Sequence, residues 1–271
     1  MNQTPCVLAV AAHPDDIEFY MAGTLLLLRQ RGWQVHYFNI ADGCCGTETH
    51  GRDEIIRIRR EESIAAARRL GATYHESLAH DLEILYTREL LARVTAVVRQ
   101  AAPDIVLTHS PNDYMEDHQN ACRLAVSAAF SRGMPNLASE PPRATIGKHV
   151  TVYHAVPHSN RDGLRRVVRS GLYVDIGAVL DEKAALLACH RSQKDWLDAS
   201  QGMDCYLAAM RELACETGRL SGRYASAEGW RRHAHAGFCA ADADPLREAL
   251  ADVCVVDARY ERDLALTDGP T

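Results

Sequence analysis

The chain has 271 residues, 47% of them hydrophobic, and a formal net charge of −6. That is enough apolar material for one large domain, and the interspersed charges carry no footprint for nucleic acid or an anionic membrane surface. No uninterrupted apolar run is long enough to span a bilayer, and the N-terminal MetAsnGlnThrPro lacks the basic and apolar segments of a secretory leader. Nine scattered cysteines without a CxxC pair fit free thiols in a reducing compartment better than a disulfide framework, so a cytoplasmic protein is expected.

In chain order, residues 6–12 form an apolar run that reads as a buried strand, and helical periodicity over 17–31 ends at Gly32. Residues 35–41 read as a second strand, AspGlyCysCysGly (42–46) as a loop, and 52–70 as a charged helix closed by Gly71. A third strand is expected over 73–78. Leu90, Leu91, Val94, Val97 and Val98 mark a helix that ends before Pro103. Residues 105–108 make a short apolar strand entering HisSerProAsnAsp. A helix follows over 118–130, then a loop from Pro135 to Pro142 and a fifth strand over 150–156. This alternation predicts an α/β fold, a Rossmann-like parallel sheet of about five core strands with helices on both faces and right-handed crossovers. Beyond residue 160 the pattern changes. Residues 179–189 and 203–213 look helical and the rest is irregular, so 161–271 read as a mainly helical cap completing the domain built on a 1–160 core.

HisProAspAsp (13–16) follows the first strand directly. In open parallel sheets, ligands bind beyond the carboxyl ends of the strands. His13 and Asp16 lie three apart across a tight turn, so both can reach one ion, and a catalytic zinc commonly takes three protein ligands. Asp15, pointing elsewhere, can take a proton from water. The competing reading is that the two aspartates cap the next helix. AspTyrMetGluAspHis (113–118) leads from the fourth strand into its helix, which brings His118 to the same sheet edge as a third ligand. Against this, Asp117 is a plausible helix cap and His118 a surface residue.

HisProAspAsp-x-Glu after the first strand, with Asp-x-x-x-AspHis after the fourth, resembles the PIG-L / LmbE-like family of zinc-dependent N-deacetylases over roughly residues 5–160. The resemblance implies hydrolysis of the N-acetyl group of an N-acetylglucosamine-type sugar or conjugate, a small-molecule substrate, with homo-oligomerisation open. It implies Zn²⁺ held by His13, Asp16 and His118, Asp15 as general base, and Arg59 as a substrate-binding arginine; N/O ligands also admit Fe²⁺, Co²⁺ or Ni²⁺. One position departs from the family. A histidine is often found three residues before the last ligand, where this chain has Met115. Tyr114, His154 and His158 are candidates for the missing donor to the oxyanion, with His158 ranked first. Two other functions stay open, an amidase acting on a thiol conjugate and a sugar-binding homologue without activity. A dinucleotide site does not fit, because HisProAspAsp stands where GxGxxG is needed.

Other residues have plainer expectations. Glu18 is expected to orient a ligand or loop, and Gly43 and Gly46 to permit a tight turn at the pocket rim. Cys44 and Cys45 read as loop thiols. Trp196, Trp230 and the histidines at 233 and 235 are considered for a sugar pocket, and Arg161, Arg165, Arg166 and Arg169 for an anion-binding border.

Overall fold

The computed structural model describes residues 4–194, 196 and 205–265. Its centre is one sheet built from β1 (Cys6–Ala11), β2 (Gln34–Asn39), β3 (Thr73–His75), β4 (Ile105–Thr108), β5 (Thr151–Ala155), β6 (Leu172–Asp175), β7 (Ala227–Arg232) and β8 (Cys254–Val256). The order is β3-β2-β1-β4-β5-β7-β6-β8. The first five strands are parallel, with Ala11 paired to Asn39 and Val10 to Thr108. The last three join by antiparallel pairing, β7 against β5 and β6, and β8 against β6.

The sheet therefore has eight strands, not about five. The added strands come from the region expected to be a mainly helical cap. Their sequences hide them: β7 is AlaGluGlyTrpArgArg, with three charges and a glycine, and β8 spans three residues. They form because β5 offers a free edge, and tertiary pairing outweighs weak strand propensity.

Helices cover both faces. They are α1 (Asp16–Tyr20), α2 (Ala22–Gln30), α3 (Arg52–Leu70), α4 (Arg88–Ala101), α5 (Glu116–Ser131), α6 (Leu180–Leu187), α7 (Cys205–Ser221), α8 (Pro245–Ala249) and α9 (Ala258–Ala265). Alternation along β1 sends Val7, Ala9 and Ala11 to a core with Leu25, Leu28, Met210 and Trp230. Leu8, Val10 and Ala12 go to the opposite core with Val94, Val98, Leu124 and Ala128. Burial on both sides is why β1 reads as a continuous apolar run.

The helix expected over 17–31 breaks at Met21. The break frees the Gly23 and Thr24 amides, which donate to the Glu228 carboxylate at 2.8 and 2.7 Å. Lys183 Nζ closes this buried group at 2.5 Å from Glu228 Oε1. A side chain on Gly23 would meet Ile176 at 2.6 Å, so the close approach of β7 and the loop after β6 requires glycine there.

Candidate metal centre and active site

The strand order reverses between β1 and β4, and the loops leaving their carboxyl ends build one site. HisProAspAsp turns sharply. Asp15 has φ of 105°, a left-handed conformation uncommon outside glycine, and it sends the Asp15 and Asp16 carboxylates in different directions. Asp16 Oδ2 accepts the His13 amide at 2.7 Å.

Asp16 is the hub. His13 Nδ1 lies 3.4 Å from its Oδ2 and His118 Nε2 lies 3.3 Å from its Oδ1. The three side chains thus bring one donor atom each to within 4.8 Å of one another. Each imidazole turns its other nitrogen to a further carboxylate. His13 Nε2 bonds Asp117 Oδ2 at 3.0 Å, and His118 Nδ1 is 3.1 Å from Asp113 Oδ1. This carboxylate–histidine arrangement fixes ring orientation and raises ligand basicity at metal sites. His118 is 2% exposed, so it is not a surface residue, and Met115 rather than Asp117 is the residue capping α5. Two imidazoles, a carboxylate and buried supporting acids suit a divalent transition ion.

The electrostatics agree. Burial lowers the His13 and His118 pKa values, but hydrogen bonds to Asp117 and Asp16 raise His13 to about 9, and Asp16 with Asp113 raises His118 to about 10. Burial raises Asp16, yet His118 and His109 hold it well below the usual carboxylate range. A site so rich in negative potential favours a cation. Asp15 moves the other way. Burial raises its pKa, opposed by Arg59.

Asp15 stands beside the three candidate ligands and is held by two further side chains. Tyr206 on α7 donates to Asp15 Oδ2 at 2.7 Å, and Arg59 Nη2 is 3.5 Å from the same oxygen. Arg59 is 3% exposed and donates to the carbonyls of Pro14 and Gly43. Gly43 and Gly46 clear its path; a Cβ on Gly43 would lie 2.5 Å from Arg59 Cδ, and a Cβ on Gly46 would collide with Nη1.

A cavity of about 490 Å³ opens over this cluster. Phe19, Tyr20, Tyr114, Trp196 and Tyr206 give it an aromatic wall, and His158 and Met115 also line it. The Tyr114 and His158 rings neighbour each other, with centroids 6.1 Å apart and planes tilted by 58°. Of the eight residues expected at the site, seven (His13, Asp15, Asp16, Arg59, Tyr114, His118 and His158) meet at this cavity, and His154 does not.

Other expectations fare differently. His154 is buried on β5, where its Nδ1 faces the His109 carbonyl at 3.0 Å and its Nε2 faces His233 Nδ1 at 3.0 Å; it does not line the cavity. Trp230 is 0% exposed and donates to Thr24, so it is core. His233 and His235 line a separate cavity, and Arg161, Arg165, Arg166 and Arg169 are outside the active-site wall. Glu18 meets His190 at 3.2 Å and accepts from Tyr37 at 3.1 Å, which makes it a brace behind the site and not a partner of the ligands.

Three further residues contribute to the site. His109, the first residue after β4, accepts the Ala12 amide at 3.0 Å and stacks on His118 with centroids 4.0 Å apart. Its position after a strand end is a usable signal. Asp117 offers the sequence only the alternative of a helix cap, and its contact with His13 is long-range. Tyr206 carries no local signal, since 191 residues separate it from Asp15.

The profile described as PIG-L: GlcNAc-PI de-N-acetylase matches residues 8–130. A diacetylchitobiose deacetylase from Thermococcus kodakarensis is 31% identical over 233 residues, covering 83% of this chain and 82% of the relative. A 4-oxalmesaconate hydratase from Pseudomonas putida is 29% identical, covering 69% of this chain and 73% of that one. The N,N'-diacetylchitobiose deacetylase of Pyrococcus horikoshii superposes with a TM-score of 0.70 at 26% identity, covering 85% of this chain and 84% of that one. With a relative 31% identical across 83% of its length, the chain belongs to the PIG-L family, the LmbE-like deacetylases.

Proposed function

We propose that this protein is a zinc-dependent hydrolase that removes the N-acetyl group of an N-acetylglucosamine-type sugar or its conjugate. The observation that carries the reading is Asp15, a buried carboxylate with a raised pKa beside the His13–Asp16–His118 cluster, opening on an aromatic-walled cavity. An aromatic wall suits the apolar faces of a sugar ring.

His13, Asp16 and His118 would hold a divalent ion, which when bound would supply Lewis acidity. Asp15 takes the proton of the attacking water and returns it to the departing amine. Tyr206 and Arg59 hold Asp15 by one oxygen, Oδ2, which leaves Oδ1 for that exchange. His158 and Tyr114, which line the same cavity as Asp15, donate to the carbonyl oxygen as charge builds there, in place of the histidine that Met115 displaces. Arg59 acts through Asp15 and the 43–46 loop more than by direct contact with substrate. The chain works in the cytoplasm, and among the described residues no helix is long and apolar enough to cross a membrane.

A carboxylate substrate of the kind named for the Pseudomonas putida hydratase fits less well. It would meet Asp15, Asp16 and Asp81 on the wall, and the Arg59 guanidinium is already engaged.

The test is acetate release from N,N'-diacetylchitobiose and N-acetylglucosamine, with metal content measured on the same samples. His118→Ala is expected to lose metal and acetate release together. Asp15→Asn is expected to keep metal and lose about 10²–10⁴-fold in kcat. Metal-loaded wild type that hydrolyses thiol-conjugated amides and releases no acetate from any acetamido sugar would overturn the reading.

A further inference from the structure

Outside the catalytic cluster, Asp42, Cys44 and His80 bring a carboxylate oxygen, a sulfur and an imidazole nitrogen to within 4.8 Å of one another. Two loops make this meeting. Asp42 and Cys44 follow β2, and His80 lies in the segment after β3. The Ala41–Ala79 bridge and the Asp42 amide on the Ala79 carbonyl, 3.1 Å, clip the loops together. Asp81 locks the arrangement, its two oxygens accepting the amides of Gly43 and Cys45 at 2.8 Å each. Its carboxylate is thus committed to backbone. Asp42 Oδ1 accepts the Cys44 amide at 3.1 Å, and its Oδ2 faces His80 Nδ1 at 2.5 Å. Cys44 is buried, and the His80 side chain is 43% exposed, so the cluster is dry on the sulfur side and open to solvent on the imidazole side.

We propose that Asp42, Cys44 and His80 form a second metal site, for one thiophilic divalent cation of the zinc class. One thiolate, one imidazole and one carboxylate make a borderline-soft donor set, and water completes a tetrahedron on the exposed side. The ion takes the place of the hydrogen bond between Asp42 Oδ2 and His80 Nδ1. His80 carries its proton on the solvent-facing Nε2, and Cys44 gives its thiol proton to solvent, so binding forms a metal–sulfur bond and releases one proton. Cys45 is not a ligand. It groups instead with Cys44 and Asp81, whose two oxygens already accept the Gly43 and Cys45 amides, and it lines the catalytic cavity. An ion at Cys44 pins the 42–46 loop, whose Cys45 and Gly46 line that cavity and whose glycines accommodate Arg59.

The donor sets separate the two sites. His13, Asp16 and His118 offer only nitrogen and oxygen, so a sulfur-to-cobalt charge-transfer band in the near ultraviolet reports the second site alone. Metal-stripped full-length protein is titrated with Co²⁺. The expected result is a band saturating at one sulfur-bound ion per chain, lost in Cys44→Ala and retained in Cys45→Ala. His80→Gln, at a half-exposed position that leaves the core untouched, is expected to weaken the band's Co²⁺ affinity at least about tenfold, the usual scale for a lost ligand or its support. No band in the wild type, a band surviving Cys44→Ala, or full affinity in His80→Gln overturns the proposal. None of these outcomes depends on acetate release, so the proposal stands or falls apart from the deacetylase reading.

Discussion

Asp117→Asn isolates the charge behind His13, one of the proposed metal ligands. In the wild type a single oxygen, Oδ2, accepts both from His13 Nε2 at 3.0 Å and from the Leu82 amide at 2.7 Å. An asparagine with its carbonyl oxygen in that place serves both partners, so only the negative charge is removed. The side chain is 3% exposed, which leaves little water to compensate. Partners of this kind are worth about 10–100-fold in metal affinity. With geometry conserved, the lower figure applies, about tenfold or 1.4 kcal/mol. Asp117→Ala removes both bonds and strands the Leu82 amide, so it is expected to reach about 100-fold and to cost the apo protein a further ~1–3 kcal/mol. Zinc affinity is read by competition with a chromophoric chelator, and apo stability by urea unfolding in chelator. Asparagine affinity within twofold of wild type, or a loss equal to that of His13→Ala, would refute the reasoning.

Three further outcomes follow from the same geometry. Tyr206→Phe removes the phenol that holds Asp15, and is expected to lower kcat about tenfold, the worth of one hydrogen bond, with metal content unchanged; loss of metal instead would show that Tyr206 supports the ligands. Glu228→Gln leaves the Lys183 ammonium, 2% exposed, beside a neutral partner, and is expected to destabilise the protein by about 3 kcal/mol in urea titration; a cost under about 1 kcal/mol would refute this. Acid destabilises through two buried histidines, His154 lowered by burial to about 3 and His75 lowered by burial to about 4. Both stay neutral in the fold while the unfolded chain takes up protons below pH about 6.5. Their contribution is intact above that pH and is lost as pH falls toward 4 and 3, about 2 kcal/mol each between pH 7 and 5. Urea midpoints at pH 7 and 5 check this, and a His75→Gln variant with an undiminished pH dependence would contradict it.

The parallel half of the sheet and the heart of the site were legible in the sequence for one reason. Both depend on local pattern. A doubly buried strand must be a continuous apolar run, as residues 6–12 are, and chemistry placed at its carboxyl end must follow it within a few residues, as HisProAspAsp does. His118 was reachable by the same rule from β4. What lies across the chain was not. β7 and β8 exist because a neighbour's edge is open to them, and their own residues scarcely favour strand. The break at Met21 answers Glu228, which is 205 residues from Gly23. Asp117 reads as a cap until His13 is seen against it, and His154 reads as a site residue until its strand register turns it toward His233 and away from the cavity. Tyr206 meets Asp15, and His80 meets Cys44, only because packing closes loops that no spacing rule connects. The candidate ligands near a strand end are thus determined locally. The groups that orient them, and the cavity they open on, are decided by tertiary contact, where the low dielectric of the interior makes each charge and hydrogen bond count.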